Sequence, residues 1–315
     1  MRRAYYWDRA DTRGDIRQEA GAENGMTQQT ATTQTCPAVS VCAPDFDPAA
    51  VFENGQCFRW ERRRDGTWSG IAHGRRLHLR KEGNRLLFLG ASPEEVQTIW
   101  HHYFDLGRDY AAIRTAFARD KALARAVAFA PGLRLLRQDP WEALCSFILS
   151  QNNNIPRIKG IIDRLCAAFG APLEDGGFAF PLPQALAELD AADLAPVRCG
   201  FRAGYVLDAA RKVASGEIDL DALAALPLDK ARAMLQTIRG VGPKVADCAL
   251  LFGCGRLDCF PVDVWVRRIL TAYYPDGFPE ALRPLGGIAQ QFLFHYERCH
   301  AVRRPQSAPA GGIDR

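Results

Sequence analysis

The sequence lacks three features that would assign the chain to a membrane, secreted or metal-binding class. No run approaches the ~20 consecutive apolar residues that a membrane-spanning helix needs. The first residues are charged throughout and lack the apolar core of a secretory signal, so we expect a cytoplasmic protein, nucleoid-associated in a prokaryote or nuclear in a eukaryote. Ten cysteines are scattered, and Cys248, Cys254 and Cys259 form no C-x2-C pair. We therefore expect reduced thiols, no metal and no cofactor.

A strong excess of one charge is also missing. The net charge is only +4 over 315 residues, of which 48% are hydrophobic and 24% are charged. This balance permits a polyanionic partner without requiring one. The apolar content is sufficient for one large or two modest globular domains.

The pattern of apolar residues divides the chain into four segments. Residues 1–38 are polar and poor in large apolar groups, which predicts a disordered tail. Residues 39–132 begin with alternating runs such as QCFRWERR, TWSGIAH, RRLHLRK and RLLFLG, and this period of two predicts an antiparallel sheet. Residues 133–301 have a helical pattern, and residues 302–315 form a second predicted tail. We predict an α+β fold, with a small antiparallel β-sheet domain followed by a helical domain.

Capping residues mark where several helices begin. The segments Ser92–Glu95 and Asp139–Glu142 each combine an N-cap side chain, a proline in the first turn and a glutamate three residues after the cap. This arrangement predicts two capping boxes. A stripe of apolar residues from Ile158 to Phe169 predicts another helix, ended by Gly170. Further helices are predicted at 183–189, 203–215, 229–238, 243–252 and 263–273.

The sharpest local signal is the segment Ile238–Cys248, IRGVGPKVADC. Gly240, Val241 and Gly242 join two predicted helices, and Pro243 suits the first turn of the second. The simplest interpretation is a corner in which glycine ends a helix. Such a turn also exposes backbone N–H groups at a helix start, where they can hold a nucleic-acid phosphate without reading the base sequence.

Lys244 falls in the first turn of that second helix, where the positive end of the helix dipole disfavours an ammonium ion. Partial burial acts in the same direction and favours the uncharged amine that a nucleophile requires. Cys248 follows one turn later on the same face, where it can line a pocket. Considered alone, Lys244 has the simpler interpretation of a surface lysine.

Asp263 lies in the run FPVDVWV, at the predicted start of the helix 263–273. Its first expected role is therefore that of an N-cap. A carboxylate fixed at a helix start is also placed to stabilise a sugar oxocarbenium ion, the species formed when a glycosidic bond breaks. One side chain can fill both roles.

Together these segments resemble the eukaryotic-type 8-oxoguanine DNA glycosylase/AP lyase family of helix-hairpin-helix (HhH-GPD) glycosylases. The separation of Lys244 and Asp263 by 19 residues matches the family's spacing. Asn54–Trp60, NGQCFRW, resembles its GQ-x-FRW strand, and LRQDP followed by NNNI resembles a second family stretch. The resemblance extends from about Asn54 to Arg298.

The resemblance implies a bifunctional enzyme that acts as a monomer on double-stranded DNA. It would flip 8-oxoguanine, preferably opposite cytosine, out of the duplex. Lys244 would be the nucleophile, forming a Schiff base, and Asp263 the catalytic carboxylate. β-Elimination would then cut the strand 3′ to the lesion.

The resemblance also assigns roles to residues around the lesion. Gly55 would offer its carbonyl to the N7–H that only the oxidised purine carries. Phe294 would stack on the flipped base, Gln290 would face its polar edge, and Cys248 would complete the pocket.

Four further residues would contact the opened duplex. Asn152 would fill the gap left by the base, while Arg157 and Arg202 would contact the orphaned cytosine. Phe201 would be a wedge beside it, where the family usually has a tyrosine. A second departure is Trp265, which stands where eukaryotic members place a histidine near a DNA phosphate.

Three alternatives compete with this interpretation. A monofunctional alkylpurine (3-methyladenine-type) glycosylase on the same fold would use the aspartate with water and has no need of Lys244. Adenine-mismatch and thymine-glycol enzymes usually carry a four-cysteine cluster after the hairpin, which this sequence lacks. A non-catalytic DNA-binding or scaffold protein would use the hairpin alone.

Overall fold

The computed structural model describes residues 38–303, with only the backbone described for residues 301–303. The predicted tails, residues 1–38 and 302–315, lie outside the described residues except at their inner ends.

Five strands form one antiparallel sheet in the order β1-β5-β4-β3-β2, which confirms the predicted sheet. Its central pairings set Leu79 opposite both Trp68 and Phe88. Buried residues alternate with more accessible ones along β4 and β5, so one face of the sheet is buried. The strands are β1 (Val39–Cys42), β2 (Trp60–Arg62), β3 (Trp68–Ala72), β4 (Arg75–Glu82) and β5 (Arg85–Leu89).

The segment Asn54–Arg59 was expected to lie in a strand, and this prediction is wrong, because β2 begins only at Trp60. Asn54 Oδ1 accepts a hydrogen bond from the Gln56 N–H, and Gly55 has a φ of 86°, so the chain turns here. The Gln56 side chain then bonds three backbone groups, two of them around Arg134. Side-chain hydrogen bonds therefore hold this segment in place of a strand ladder.

Aromatic residues fill the space behind the sheet. Phe52 stacks on Trp60 with ring centres 4.3 Å apart, and Trp60 Nε1 donates to the Tyr103 hydroxyl at 2.8 Å. Phe104 is fully buried and contacts several of these rings edge-on. We call this group the sheet core: Phe46, Phe52, Trp60, Trp68, Phe88, Trp100, Tyr103 and Phe104.

The two predicted helix starts behave differently. The Ser92 capping box is complete, because Ser92 and Glu95 each bond the other's backbone N–H. At the second start Asp139 accepts from the Glu142 N–H, as expected of a cap. However, the Glu142 side chain points away and pairs with Arg59, with Nη1 and Oε2 3.4 Å apart. The second capping box is therefore only half formed.

Helices make up the rest of the described chain. The predicted helices at 183–189, 203–215, 229–238, 243–252 and 263–273 are all present, with ends shifted by at most three residues. The helices are α1 (Pro48–Phe52), α2 (Pro93–Glu95), α3 (His101–Tyr103), α4 (Tyr110–Phe117), α5 (Lys121–Phe129), α6 (Pro140–Ser150), α7 (Ile155–Phe169), α8 (Pro183–Ala187), α9 (Ala203–Ala214), α10 (Leu228–Leu235), α11 (Pro243–Phe252), α12 (Val264–Tyr273) and α13 (Gly286–Arg303). A π-helical segment, Val96–Trp100, links α2 and α3.

Packing between helices brings distant parts of the sequence together around α11. This helix packs on α6, where Phe252 stacks on Phe147 with ring centres 5.1 Å apart. The C-terminal helix α13 packs on α5 and α12. Residues from α6, α11 and α13 therefore meet in one region.

Across residues 38–303, none of the helices has the length and apolar character that crossing a bilayer would require.

Candidate active site

The hairpin before α11 has the geometry that its glycines predict. Gly240 has a φ of 78°, and a Cβ there would lie 2.3 Å from the Tyr205 ring, so only glycine fits. Gly242 is the extended N-cap of α11, and Pro243 is the first residue of the helix. The Val241 side chain is buried, which fixes the turn against the protein. The N–H groups in the first turn of α11 have no partner within the helix and no side-chain cap.

Lys244 follows in the first turn of α11 and is half-buried. Its Nζ lies 5.2 Å from the centre of the Phe147 ring, within the range of a cation–π contact. Cys248, one turn later, is buried as predicted. Burial raises the pKa of its thiol to about 11, although nearby Lys244 opposes the shift. The thiol is therefore uncharged near pH 7.

Asp263 caps α12, as expected. Its Oδ1 accepts a hydrogen bond of 2.8 Å from the Val266 N–H. Among the residues that the structure describes, its Oδ2 has no hydrogen-bond partner. The cap thus fixes the carboxylate while leaving one oxygen available to a ligand.

The helix α13 contributes two adjacent glutamines and Phe294. Gln290 is buried, and its Nε2 donates to the Pro261 carbonyl at 3.2 Å. Gln291 Nε2 donates in turn to Gln290 Oε1 at 2.8 Å. This chain of bonds fixes both side-chain amides before any ligand binds.

These elements enclose a cavity of about 50 Å³. It brings together all six residues predicted to be catalytic or lesion-binding. Sequence reasoning missed the others, although Asn54 and Gln291 adjoin predicted residues. The lining residues are Asn54, Gly55, Phe147, Lys244, Cys248, Phe252, Pro261, Asp263, Gln290, Gln291 and Phe294.

A larger cleft, of about 680 Å³, lies between the sheet and α7. Arginines such as Arg59, Arg62 and Arg76 line it. It includes none of the predicted catalytic residues, so we place the active site at the smaller cavity.

The residues predicted to enter the duplex cluster on two neighbouring segments. Asn152 is exposed and has a φ of 47°, a left-handed conformation that is uncommon outside glycine. Phe201 is 56% exposed, which is unusual for so large an apolar side chain. Arg157 is exposed in the first turn of α7. All three are accessible to a partner.

Arg202, by contrast, is only 2% exposed. Its guanidinium donates to the carbonyls of Gln151 and Asn152 and lies 4.4 Å from the centre of the Phe201 ring. It therefore holds the Asn152 loop and the Phe201 ring in place. Sequence reasoning treated Arg202 only as a base contact, because bonds to a loop 50 residues away leave no local signal.

Trp265 departs from the family pattern and is 37% exposed in the first turn of α12. The preceding Val264 is 65% exposed, and the Arg268 guanidinium lies 5.4 Å from the centre of the Trp265 ring. The apolar ring of Trp265 and the cationic group of Arg268 therefore lie together in the helix that Asp263 caps.

Comparison with known proteins identifies the family to which the chain belongs. Residues 38–144 match the model of the 8-oxoguanine DNA glycosylase N-terminal domain, and residues 145–277 match that of HhH-GPD superfamily base-excision DNA repair proteins. The chain is 30% identical to the N-glycosylase/DNA lyase OGG1 of Arabidopsis thaliana, over 78% of this chain and 72% of the relative.

Two solved structures are also similar. The first, of MBOgg1 with a low-affinity DNA ligand, is 43% identical with a TM-score of 0.80, over 84% of this chain and 96% of that one. The second is the Clostridium acetobutylicum 8-oxoguanine glycosylase/lyase with DNA containing cytosine opposite 8-oxoguanine. It is 36% identical with a TM-score of 0.78, over 84% of this chain and 97% of that one. The chain belongs to the 8-oxoguanine DNA glycosylase family of the HhH-GPD superfamily, and is a base-excision repair enzyme of the N-glycosylase/DNA lyase class.

Proposed function

We propose that this protein excises 8-oxoguanine from double-stranded DNA, preferably opposite cytosine, and cuts the strand through a Lys244 Schiff base. The observation that carries the proposal is the shared cavity, in which a half-buried amine and a fixed carboxylate lie beside an aromatic ring. The relatives named for 8-oxoguanine support the choice of lesion. We infer that the protein acts as a monomer.

The chemistry begins with the Lys244 amine, which attacks once its ammonium form has given up a proton. Its nitrogen forms a bond to C1′ of the sugar as the bond from C1′ to N9 of the base breaks. The electron pair of the broken bond leaves on the base, which takes up a proton. Opening of the sugar ring gives a protonated Schiff base. Loss of a C2′ proton then expels the 3′ phosphate, and hydrolysis of the product imine returns the free amine.

Asp263 stabilises the positive charge that develops on the sugar as the base departs. Its Oδ1 is held by the helix cap, so the carboxylate needs no reorganisation when that charge appears. Phe294 offers a ring face on which the base can stack, replacing part of the stacking lost on flipping.

The cavity must enlarge to admit a base. A volume of about 50 Å³ holds roughly three or four water molecules. An oxidised purine is several times larger, so side chains at the mouth must move when it enters. Phe294 is the partly exposed aromatic side chain at this mouth.

Three exposed residues open the duplex and contact the orphaned cytosine: Asn152, Phe201 and Arg157. Arg202 is buried and donates to the backbone of this loop, so it acts by positioning Asn152 and Phe201. Arginine donors suit the acceptors of cytosine and mismatch the donor edge of adenine.

The hairpin Gly240–Gly242 holds a backbone phosphate without sequence preference. The Val241 N–H donates to the Ile238 carbonyl at 3.0 Å and so fixes the turn, which leaves the other N–H groups of the hairpin to bind the phosphate.

Borohydride trapping tests the nucleophile. Lys244→Gln should bind lesion DNA but form no trapped adduct, because glutamine cannot form a Schiff base. Lys230→Gln, at an exposed lysine on α10, is the matched control and should trap normally. If Lys244→Gln traps as well as wild type, the assignment is wrong.

Single-turnover cleavage tests the substrate. Duplexes carrying 8-oxoguanine opposite each of the four bases should be cleaved fastest when the partner is cytosine, and Arg157→Gln should reduce that preference. Equal wild-type rates with all four partners would reject the arginine roles. Faster release of 3-methyladenine than of 8-oxoguanine would instead assign the chain to the alkylpurine enzymes.

A further inference from the structure

The larger cleft, between the sheet and α7, carries more positive than negative charge. Its volume is about 680 Å³, and the excision chemistry does not use it. Two carboxylates, Glu61 and Asp163, line the cleft together with a larger number of guanidinium groups. We call it the arginine cleft, after Arg59, Arg62, Arg63, Arg64 and Arg76.

Three of these arginines are consecutive and exposed, where strand β2 runs into its turn. Among the side chains that the structure describes, none of Arg62, Arg63 and Arg64 forms an ion pair, whereas Arg59 and Arg76 do. The turn itself is held by the backbone, because the Arg63 N–H donates to the Thr67 carbonyl at 2.7 Å. Three positive charges are therefore presented by a formed turn and are available to an anion.

Arg59 is more buried than the other arginines, with a side chain only 7% exposed. Its Nη1 lies 3.4 Å from Glu142 Oε2, and its Nη2 donates to the Phe178 carbonyl. Burial raises the pKa of Glu142 to about 7, so this carboxyl carries only part of a negative charge near neutral pH. The charge of Arg59 is therefore incompletely neutralised by its own partner, and an anion in the cleft would complete the neutralisation.

The positive charge of the cleft acts on His78, which also lines it. Burial lowers the pKa of this imidazole, and the nearby Arg63 and Arg76 lower it further. Asp175 and Asp65 oppose the shift without reversing it. The surroundings of His78 therefore disfavour a further cation, as expected of a site for anions.

The helix α7 connects the arginine cleft to the surface that we propose contacts DNA. Arg157 lies in the first turn of α7, and Asp163, which lines the cleft, follows six residues later, about 9 Å along the helix axis. Between them, Lys159 Nζ donates to the Trp60 carbonyl at 2.6 Å and ties α7 to β2. A DNA strand carries one phosphate per about 3.4 Å of duplex axis, so a single duplex is long enough to span both surfaces.

We propose that the arginine cleft is a second binding site for the backbone phosphates of DNA, separate from the lesion cavity. The exposed side chains of Arg62, Arg63 and Arg64 pair with phosphate oxygens, and Arg59 adds its positive field from within the protein. Such contacts carry no information about the bases, so the site binds undamaged DNA. The phosphates belong either to the flank of the duplex held at the active site or to a separate duplex, and the chemistry of the contact is the same.

The double variant Arg63→Gln with Arg64→Gln tests these contacts on an undamaged duplex of about 30 base pairs. Both substitutions are exposed, so the fold should be retained. We expect about a tenfold loss of affinity, and a slope of log affinity against log salt that is reduced by about two. Arg119→Gln with Arg125→Gln removes the same charge at exposed positions elsewhere and should change the affinity by less than about twofold.

The charge-conserving variant Arg63→Lys with Arg64→Lys separates a lost contact from a damaged turn. Lysine still pairs with phosphate as a point charge, so this variant should keep most of the affinity and the full salt slope. A loss equal to that of the glutamine variant would show a structural defect and would overturn the proposal.

Transfer between duplexes distinguishes the two sources of phosphate. A complex with a labelled duplex is mixed with increasing concentrations of an unlabelled one, and release of the label is followed. If the cleft captures a separate duplex, the release rate of wild type rises with competitor concentration and the glutamine variant of Arg63 and Arg64 loses this rise. If the cleft holds the flank of the same duplex, the two proteins depend on the competitor alike and only the affinity differs.

Affinity, salt slope and transfer that all equal those of the Arg119 and Arg125 control would overturn the proposal. None of these measurements uses a lesion, so they give the same answer whether or not the protein excises 8-oxoguanine. A failure of the proposed excision is therefore distinguishable from a failure of the second site.

Discussion

The sheet core and the cavity beside Lys244 are both buried, but they treat polar groups differently. In the sheet core, the Trp60 indole N–H is paired with Tyr103, and the surrounding rings fill the space. At the cavity, the lining residues Asn54 and Gln291 each have one buried amide atom without a hydrogen-bond partner in the part of the chain that the structure describes, and Lys244 is only half-buried. The sheet core stabilises the fold through the apolar surface that it buries. The cavity leaves buried polar atoms unpaired, which lowers the stability of the fold.

The largest expected effect is on stability, from Phe104→Ala in the sheet core. Removing this fully buried ring should cost about 3–5 kcal/mol of unfolding free energy and lower the melting temperature by roughly 10 °C. Cleavage of an abasic site well below that temperature should stay within about twofold of wild type. Phe178→Ala, at a partly exposed ring, is the control. A large loss of cleavage would show that the two regions are coupled.

The next effect is on activity, from Asp263→Asn in the cavity. Asparagine is as good an N-cap as aspartate, so the melting temperature should change by less than about 2 °C. Loss of the charge should slow base excision by about a hundredfold or more, equivalent to about 3 kcal/mol. Single-turnover rates and thermal melts measure the two quantities. Excision at the wild-type rate would leave Asp263 with its cap role alone.

A third prediction concerns Glu142, which lies between the two regions. Burial raises the pKa of its carboxyl to about 7, even though Arg59 is 3.4 Å away and opposes the shift. Desolvation therefore outweighs this ion pair. The protonated form is favoured in the folded state, so its contribution is complete below about pH 4 and is lost as pH rises through 7. The loss should be about 3 kcal/mol.

Thermal melts between pH 4 and pH 8 measure this effect. The melting temperature of wild type should decline over that range more steeply than that of Glu142→Gln, because glutamine does not titrate. Parallel profiles for the two proteins would show that Glu142 is ionised throughout.

The smallest expected effect is on DNA binding, from Gly242→Asp. A Cβ at Gly242 meets no atom within 4 Å, and aspartate is a good N-cap, so the fold should be retained. The added charge should weaken binding to damaged and undamaged duplexes alike, by about tenfold, and reduce the slope of log affinity against log salt by about one. Asn84→Asp adds the same charge at an exposed turn as a control. A loss confined to lesion DNA would contradict the phosphate role.

The sequence predicted those parts of the fold whose signals are local. The glycines and proline of Gly240–Pro243 encode their own turn, and the caps at Ser92 and Asp263 lie next to the helices that they begin. Six of the residues that line the cavity could be predicted for the same reason. Each of its predicted residues belongs to a short segment with a distinctive pattern.

Other features could not be predicted, because they depend on partners far along the chain. Glu142 pairs with Arg59 instead of closing its capping box, across 83 residues. The run NGQCFRW has the composition of a strand, but bonds from Gln56 to the backbone near Arg134 hold it in a turn. The orientations of Asn54 and Gln291 follow from hydrogen bonds that only the folded chain contains.

The left-handed Asn152 backbone has a kinetic consequence. In the unliganded protein Arg202 already holds the carbonyls of Gln151 and Asn152. The Asn152 loop therefore needs no folding step when it meets DNA. A repair enzyme must test a great many undamaged base pairs for each lesion. Because the Asn152 loop is preformed, the time needed to inspect one base pair depends on how fast the duplex opens and not on how fast the protein rearranges. Loosening the Arg202 anchor should therefore slow the search along DNA more than the chemistry at Lys244.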